Sequence, residues 1–223
     1  AWPGGATAAA GSLLPFLSRA RVGTVDVAVL SHADRAHTGG AEVLGAAVPV
    51  TTWLVGPRVD TVATPTRCTA GQRWTAGGLR FQVAWPVAPF WPGARDIIGA
   101  CGGRVTAGDT TLWLAGDVEA HAERELVALR AGGAQATTVP HHGSSTSSTP
   151  PFVRASGARI AVASTDVGGR WTLPAPTVVA RWRDAGAERV PTSRAGVGLA
   201  LCARRDARLQ DPDPWAESRS ALW

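Results

Sequence analysis

The sequence predicts a layered α/β domain, and three observations predict it. Short runs rich in Val, Leu and Trp alternate with helix-like runs along most of the chain. Clusters of Pro, Gly and polar residues punctuate them roughly every ten to fifteen residues. A length of 223 residues with 45% hydrophobic and 17% charged residues suffices for the core of one ordinary domain, or at most two small ones.

Taken in order, the strands are expected at Thr24–Ser31 (TVDVAVLS), Thr51–Val55, Leu79–Trp85, Thr110–Ala115, Ala136–Val139, Arg159–Ser164 and Gly196–Cys202, each short and bounded by turn residues. Helices are expected at Gly40–Ala47, Val118–Ala131, Thr149–Ser156 and Thr177–Ala185. The second of these places Val118, Ala122, Leu126 and Leu129 on one stripe, with Glu119, Glu123 and Arg130 outside it. The third opens with Ser148-Thr149-Pro150, a cap followed by proline at the first turn. Trp residues before the tail fall at irregular intervals, which suits core and strand packing better than a base-stacking stripe. Residues 1–202 form the expected domain. From Ala203 to Trp223 the chain is rich in Arg and Asp, carries Pro212 and Pro214, and is expected to be a poorly ordered polar tail.

All 22 basic side chains are Arg against 17 acidic residues, a net charge of +5. A GC-rich coding bias accounts for part of this, and the guanidinium groups favour an anionic substrate. No apolar stretch approaches the roughly 18–20 residues of a membrane span, and the Ala1-Trp2-Pro3-Gly4-Gly5 start lacks the basic and apolar regions of a signal peptide. With no Met in the sequence, the chain is expected to be a piece of something longer. Cys68, Cys101 and Cys202 are odd in number and widely spaced, without a C-x-x-C pair. They read as buried apolar residues or incidental thiols rather than a disulfide framework or a zinc knuckle.

Chemistry concentrates after strand ends. Four of the five histidines lie in two tight groups. The first, His32-Ala33-Asp34-Arg35-Ala36-His37, ends a strand and precedes a helix, so its imidazoles and carboxylate can hold a divalent metal or simply form a solvated polar loop. The second, His141-His142-Gly143-Ser144-Ser145-Thr146-Ser147-Ser148, ends another strand and opens a helix. It offers one ring to a metal and another to a second layer of contacts or a leaving group, the alternative being a Ser-rich surface turn. Gly143 allows close backbone approach to an anion, and hydroxyls with a helix N-terminus suit phosphate oxygens. Gly116-Asp117 lies between them at a third strand end, where a carboxylate can bridge two ions although most such pairs are turns. His121 reads as a solvated helix residue.

These residues together resemble the metallo-β-lactamase superfamily, and within it the C-terminal domain of the ComEC family of bacterial DNA-uptake proteins. The resemblance runs from about Leu13 to Cys202 and includes Leu14-Pro15-Phe16-Leu17, the stretch from Cys68 to Trp74, Arg170-Trp171, Pro174-Ala175-Pro176 and Ala180-Arg181-Trp182. It implies an αββα sandwich, truncated at its amino terminus because the family's first strand motifs are absent. The family's H-x-D-x-D-H falls on His32, Asp34, Ala36 and His37, its Gly-Asp on Asp117 and its HHGS on His141 and His142. Ala36 stands where the family has a metal-binding aspartate, and a methyl group cannot ligate. Gly102-Gly103 also stand where apolar residues are expected.

The resemblance implies a metal-dependent phosphodiesterase that cuts DNA during transformation. His32, Asp34, His37, Asp117 and His141 would hold one or two Mn or Zn ions, the second site weakened by Ala36. Catalytic roles fall to Asp117, His142 as proton donor to the leaving oxygen, and Ser144; Ser144, Thr146 and Arg170 would bind substrate. DNA and a membrane channel domain of the same parent protein are the implied partners. The isolated domain would be monomeric, on the periplasmic side of a bacterial inner membrane. The alternatives are a degenerate domain that binds nucleic acid without cutting it, favoured by Ala36, and, last, a small-molecule hydrolase on the same scaffold. Both metal readings require the three separated segments to converge on one rim of the sheets.

Overall fold

The computed structural model describes residues 7–87, 100–130, 133–165, 172–188 and 192–193. The predicted strand Gly196–Cys202, the tail, Cys202 and Arg170 lie outside them. Near the start, a π-helical turn, Ala9–Leu13, runs into α1 (Leu14–Arg19), which the sequence reading did not predict. Strand β1 (Val25–Leu30) is followed by the short helix α2 (Arg35–Thr38) and by α3 (Ala41–Ala47), which returns the chain to β2 (Val50–Val55), parallel to β1. Strand β3 (Pro65–Arg67) adds in parallel and completes a three-stranded sheet of order β1-β2-β3.

The second sheet is mixed. Strands β4 (Arg73–Ala76), β5 (Leu79–Trp85), β6 (Gly102–Ala107) and β7 (Thr110–Leu114) form an antiparallel meander. Three βα units then continue in parallel: α4 (Ala120–Ala128) leads to β8 (Ala136–Thr138), α5 (Pro150–Ser156) to β9 (Ile160–Ser164), and α6 (Pro176–Asp184) to β10 (Thr192–Ser193). The seven strands lie in the order β10-β9-β8-β7-β6-β5-β4.

Apolar burial sorts these elements into an αββα sandwich. Trp113 of β7, Ala161 and Ala163 of β9, Leu126 of α4, Phe152 and Val153 of α5, and Val178 and Trp182 of α6 share the main core. Leu30, Val55 and Ala41 form a second cluster between the small sheet and α3. Leu54, Cys68, Val83 and Cys101, with Val27 and Trp74 against them, join the two sheets. Trp85, Trp113 and Trp182 are buried, as packing residues should be.

Several sequence expectations are corrected. Cys68 and Cys101 are not separate thiols but a disulfide with a Cα–Cα distance of 6.0 Å, tying the segment after β3 to the start of β6. Glu123, expected on the outer face of α4, is fully buried, whereas Leu129, expected on the apolar stripe, is 56% exposed because the helix stops at Ala128. Strand β6 was obscured by its opening Gly102-Gly103. At Gly103 a Cβ would stand 2.5 Å from the Gln82 carbonyl oxygen, so only glycine permits the approach to β5. Short β3 and β4 carry too few apolar residues for a period-2 signal.

Burial of Glu123 has a local purpose. Its two carboxylate oxygens accept the backbone N–H groups of Ser148 (2.5 Å) and Thr149 (2.7 Å) at the amino end of α5. Arg181 donates to the Ser148 carbonyl (2.5 Å) and Trp182 Nε1 to Ser148 Oγ (3.1 Å). The amino end of α5 is thereby occupied by a side chain of α4, so it is not the phosphate cradle expected from the sequence.

Three stability outcomes are expected. Glu123→Ala leaves two buried amides unpaired and should cost about 2–4 kcal/mol in chemical denaturation. Burial raises the Glu123 carboxyl above its ordinary range, against the pull of the Thr149 and Ser148 contacts and of Arg181. A raised folded-state value means that the native chain holds this proton longer than the unfolded chain. The associated stability is therefore fully present below the ordinary carboxyl value and lost as pH rises through the folded one. Glu123→Gln should flatten that slope. The Cys68–Cys101 bond, with a sequence separation of 33, should contribute about 3–4 kcal/mol by restricting the unfolded chain. Replacing both cysteines by Ser should lower the denaturation midpoint accordingly and raise m, because the unlinked denatured chain exposes more surface.

Candidate metal centre

The site assembles at the carboxyl ends of β1, β7 and β8, where a parallel arrangement collects loop residues on one rim. Cys101 N–H donates to the Ser31 carbonyl (2.7 Å), joining the rims of the two sheets, and His141 N–H donates to the Gly116 carbonyl (3.1 Å). The His141–Gly143 turn is held in unusual backbone geometry. His141 and His142 have φ of 48° and 54°, a left-handed conformation that costs a non-glycine residue about 1–2 kcal/mol. At Gly143, φ is 84° and a Cβ would lie 2.4 Å from Pro174 Cβ. Close packing of the segment before α6 thus requires glycine at this position.

Asp117 is the centre of the arrangement. Its Oδ2 lies 3.7 Å from His32 Nε2, 3.3 Å from His37 Nε2, 3.9 Å from His141 Nε2 and 3.6 Å from His142 Nε2. Asp34 Oδ2 stands 3.4 Å from His32 Nε2 and is more exposed. The expected convergence of His32, Asp34, His37, Asp117 and His141 is therefore present, and His142 joins them. Ala36 sits on α2, one residue before His37, with its methyl group exposed to solvent.

Outer contacts set how each ring presents itself. The Nδ1 atoms of His32 and His37 both face Ser31 Oγ, at 3.1 and 3.2 Å. His142 Nδ1 lies 2.7 Å from the Ser164 carbonyl oxygen, which can only accept, so Nδ1 carries the hydrogen and Nε2 of the neutral ring is a bare lone pair. That Nε2 lies 3.3 Å from His37 Nε2. His141 Nδ1 faces Glu119 Oε1 at 3.2 Å. Ser144 Oγ and Thr146 Oγ1 are 3.0 Å apart, and the Thr146 hydroxyl donates to Glu119 (2.6 Å). His121 is exposed on α4, as expected. Ser31, Glu119 and Ser164 were missed: each reads in sequence as ordinary strand or helix polarity, and only folding brings them behind the rings.

Protonation follows from these surroundings. Burial and the neighbouring His37 hold His32 below the ordinary imidazole range, outweighing Asp117 and Asp34. For Asp117, burial pushes the carboxyl up, but the hydrogen bond and charge of His37, with His142 and His32, bring it below its ordinary value. A neutral imidazole and an ionised carboxylate are the forms that ligate a cation.

The donor set fits a divalent metal. Ligand atoms of His32, His37 and Asp117 lie within 4.8 Å of one another, and His32 Nε2 is buried without a hydrogen-bond partner. Imidazole nitrogens with carboxylate oxygens suit Zn²⁺ and, with more oxygen, Mn²⁺.

The chain is 32% identical over 172 residues to the uncharacterized protein YcaI of Escherichia coli K12, a match covering 75% of the chain and 22% of that protein. It is 31% identical over 195 residues to the competence protein ComA of Neisseria gonorrhoeae, covering 86% of the chain and 28% of that protein. The chain is a metallo-β-lactamase-fold domain of the ComEC family. It spans about a quarter of the length of these two relatives. Its fold resembles that of a Parabacteroides distasonis structure named "Putative metal-dependent hydrolase", with a TM-score of 0.50, 12% identity and coverage of 77% of this chain and 76% of that one. No protein-family model matches the chain. Among the described residues, no helix of this ComEC-family domain is long and apolar enough to cross a membrane.

Because Asp117 faces all four rings, Asp117→Asn should weaken Mn²⁺ or Zn²⁺ binding by more than the 10- to 100-fold that is typical when an outer partner is lost. Calorimetric titration of the two proteins checks this.

Proposed function

We propose that the chain is a metal-dependent phosphodiesterase domain that acts on DNA during uptake, with its activity depressed by Ala36. The observation that carries this reading is the convergence of four imidazole Nε2 atoms on Asp117 Oδ2, in a chain similar to a competence protein. His32, Asp34, His37, Asp117 and His141 would hold one or two divalent ions. When bound, such ions lower the pKa of water and offset charge on phosphoryl oxygens.

The remaining work falls to the chain. Asp117, kept ionised, orients the rings around it. His142, anchored through Nδ1 to the Ser164 carbonyl, presents Nε2 beside Asp117 and in its doubly protonated form can give a proton to a leaving oxygen. Ser144, Thr146 and Arg170 are the substrate contacts of this reading: the Ser144 hydroxyl, which donates to Thr146 in the metal-free chain, would turn to a non-bridging oxygen when substrate binds. The Cys68–Cys101 disulfide favours an oxidising compartment, in keeping with a domain carried by a membrane protein and facing the periplasm.

Ala36 supports a second reading, a domain that binds DNA without cutting it. Restoring the carboxylate separates the two. Ala36→Asp should raise cleavage of single- or double-stranded DNA in Mn²⁺ by about 100-fold or more, equivalent to ~2.7 kcal/mol of barrier. Ala36→Asn should do much less, because a neutral amide is a poorer ligand. If neither the native chain nor Ala36→Asp cleaves DNA despite demonstrated metal occupancy, the nuclease reading fails. Retained salt-dependent DNA binding would then favour the second reading.

A further inference from the structure

We propose that Glu119 is a positioning residue for His141. Its carboxylate fixes that ring with the hydrogen on Nδ1 and aims Nε2 at Asp117. The inference rests on the metal-centre reading above and adds a residue to which that reading gave no role.

Glu119 stands at the amino-terminal cap position of α4. Cap positions favour Ser, Thr, Asp or Asn, whose short side chains bond the helix's first amides. Glu119 makes no such capping bond. Its side chain reaches sideways instead, placing Oε1 3.2 Å from His141 Nδ1 and 2.6 Å from Thr146 Oγ1, with the side chain 26% exposed.

The direction of each hydrogen bond in this group is determined by its neighbours. A carboxylate oxygen only accepts, so the 2.6 Å contact commits the Thr146 hydroxyl hydrogen to Glu119. Thr146 Oγ1 also lies 3.4 Å from His141 Nδ1, but its hydrogen is already used, so it too can only accept from the ring. Ser144 Oγ, 3.0 Å from Thr146 Oγ1, is the donor in that pair for the same reason. Both oxygen neighbours of His141 Nδ1 are therefore acceptors, and Nδ1 must carry the hydrogen. The neutral ring is left with a bare Nε2, which lies 3.9 Å from Asp117 Oδ2.

The same logic operates at His142, where the Ser164 carbonyl imposes Nδ1–H, but the consequence at His141 differs. A backbone carbonyl survives any side-chain substitution, whereas the His141 partner can be removed. The carboxylate–imidazole–ligand arrangement also makes the ring a better donor to a cation. Glu119 comes from the β7–α4 connection and His141 from the β8–α5 connection. Ala120 N–H donates to the Thr146 carbonyl at 3.3 Å, which keeps the two connections in register.

The test uses the 223-residue chain and its Glu119→Ala, Glu119→Gln and Thr146→Val variants. Ring-nitrogen NMR of the metal-free proteins, at a pH where the imidazoles are neutral, reports which nitrogen of His141 carries hydrogen. Zinc titration reports affinity. The native chain should show His141 as Nδ1–H. Glu119→Ala should move it toward Nε2–H and weaken zinc about 10- to 100-fold. Glu119→Gln, which keeps an acceptor oxygen, should retain the Nδ1–H signature and most of the affinity. Thr146→Val should fall between the native chain and Glu119→Ala.

Unchanged His141 signals and zinc affinity in Glu119→Ala would overturn the proposal. So would Glu119→Gln behaving like Glu119→Ala, since charge rather than hydrogen-bonded aim would then be responsible. If the native chain binds no zinc, the metal-centre reading falls, and the role of Glu119 is decided by the His141 signature alone.

Discussion

A buried carboxylate facing four imidazole nitrogens is the constraint around which the rest of this domain is arranged. Asp117 is almost fully enclosed, and it is held ionised by rings from β1, α2 and the turn after β8. Nε2 lone pairs and a carboxylate gathered in so small a volume repel one another unless a cation or protons lie between them. The fold maintains that geometry through contacts behind the rings. Ser31, Ser164 and Glu119 occupy the outward nitrogens, and the Cys101–Ser31 backbone bond fastens the two sheets beside them. Each of these contacts determines where a ring points, so the chemistry of the rim is set one layer away from it.

The cost of this arrangement is visible in the backbone. His141 and His142 adopt left-handed φ values that neither residue favours, and the turn survives because both flanks are anchored. Glu123, Arg181 and Trp182 secure its downstream end, and β8 together with the Gly116 carbonyl secures the upstream end. The packing of α4 and α6 against the large sheet therefore reaches directly into the position of two histidines. A core change beneath Trp182 would be felt at the rim, although it touches no ligand.

Much of the architecture was legible in the sequence because period and punctuation agreed. β1, β2, β5, β7, β8 and β9 follow apolar runs that end at turn residues, and the three clusters of functional residues stand at the ends of β1, β7 and β8. What was hidden depended on partners far along the chain. Gly103 looks like a strand breaker until Gln82 is seen against it. Glu123 and Glu119 look equally exposed on a helical wheel. One, however, is swallowed by the amino end of α5 and the other reaches across to His141. Nothing local in two cysteines separated by 33 residues announces a bond between sheets, and Ser31 carries no mark of serving two rings at once. Motif residues could be named from their neighbours in sequence; the groups that aim them could not.

Capping of α5 by Glu123 has a consequence for where an anion can dock. A helix amino terminus left open would attract an anion by itself. Here that positive end is already neutralised, while Asp34, Asp117 and Glu119 add negative potential around the same rim. A polyanionic strand therefore finds no ready seat at this end of α5, and the carboxylates of the rim oppose its approach until the Arg side chains of a chain of net charge +5, or cations at the rim, offset them.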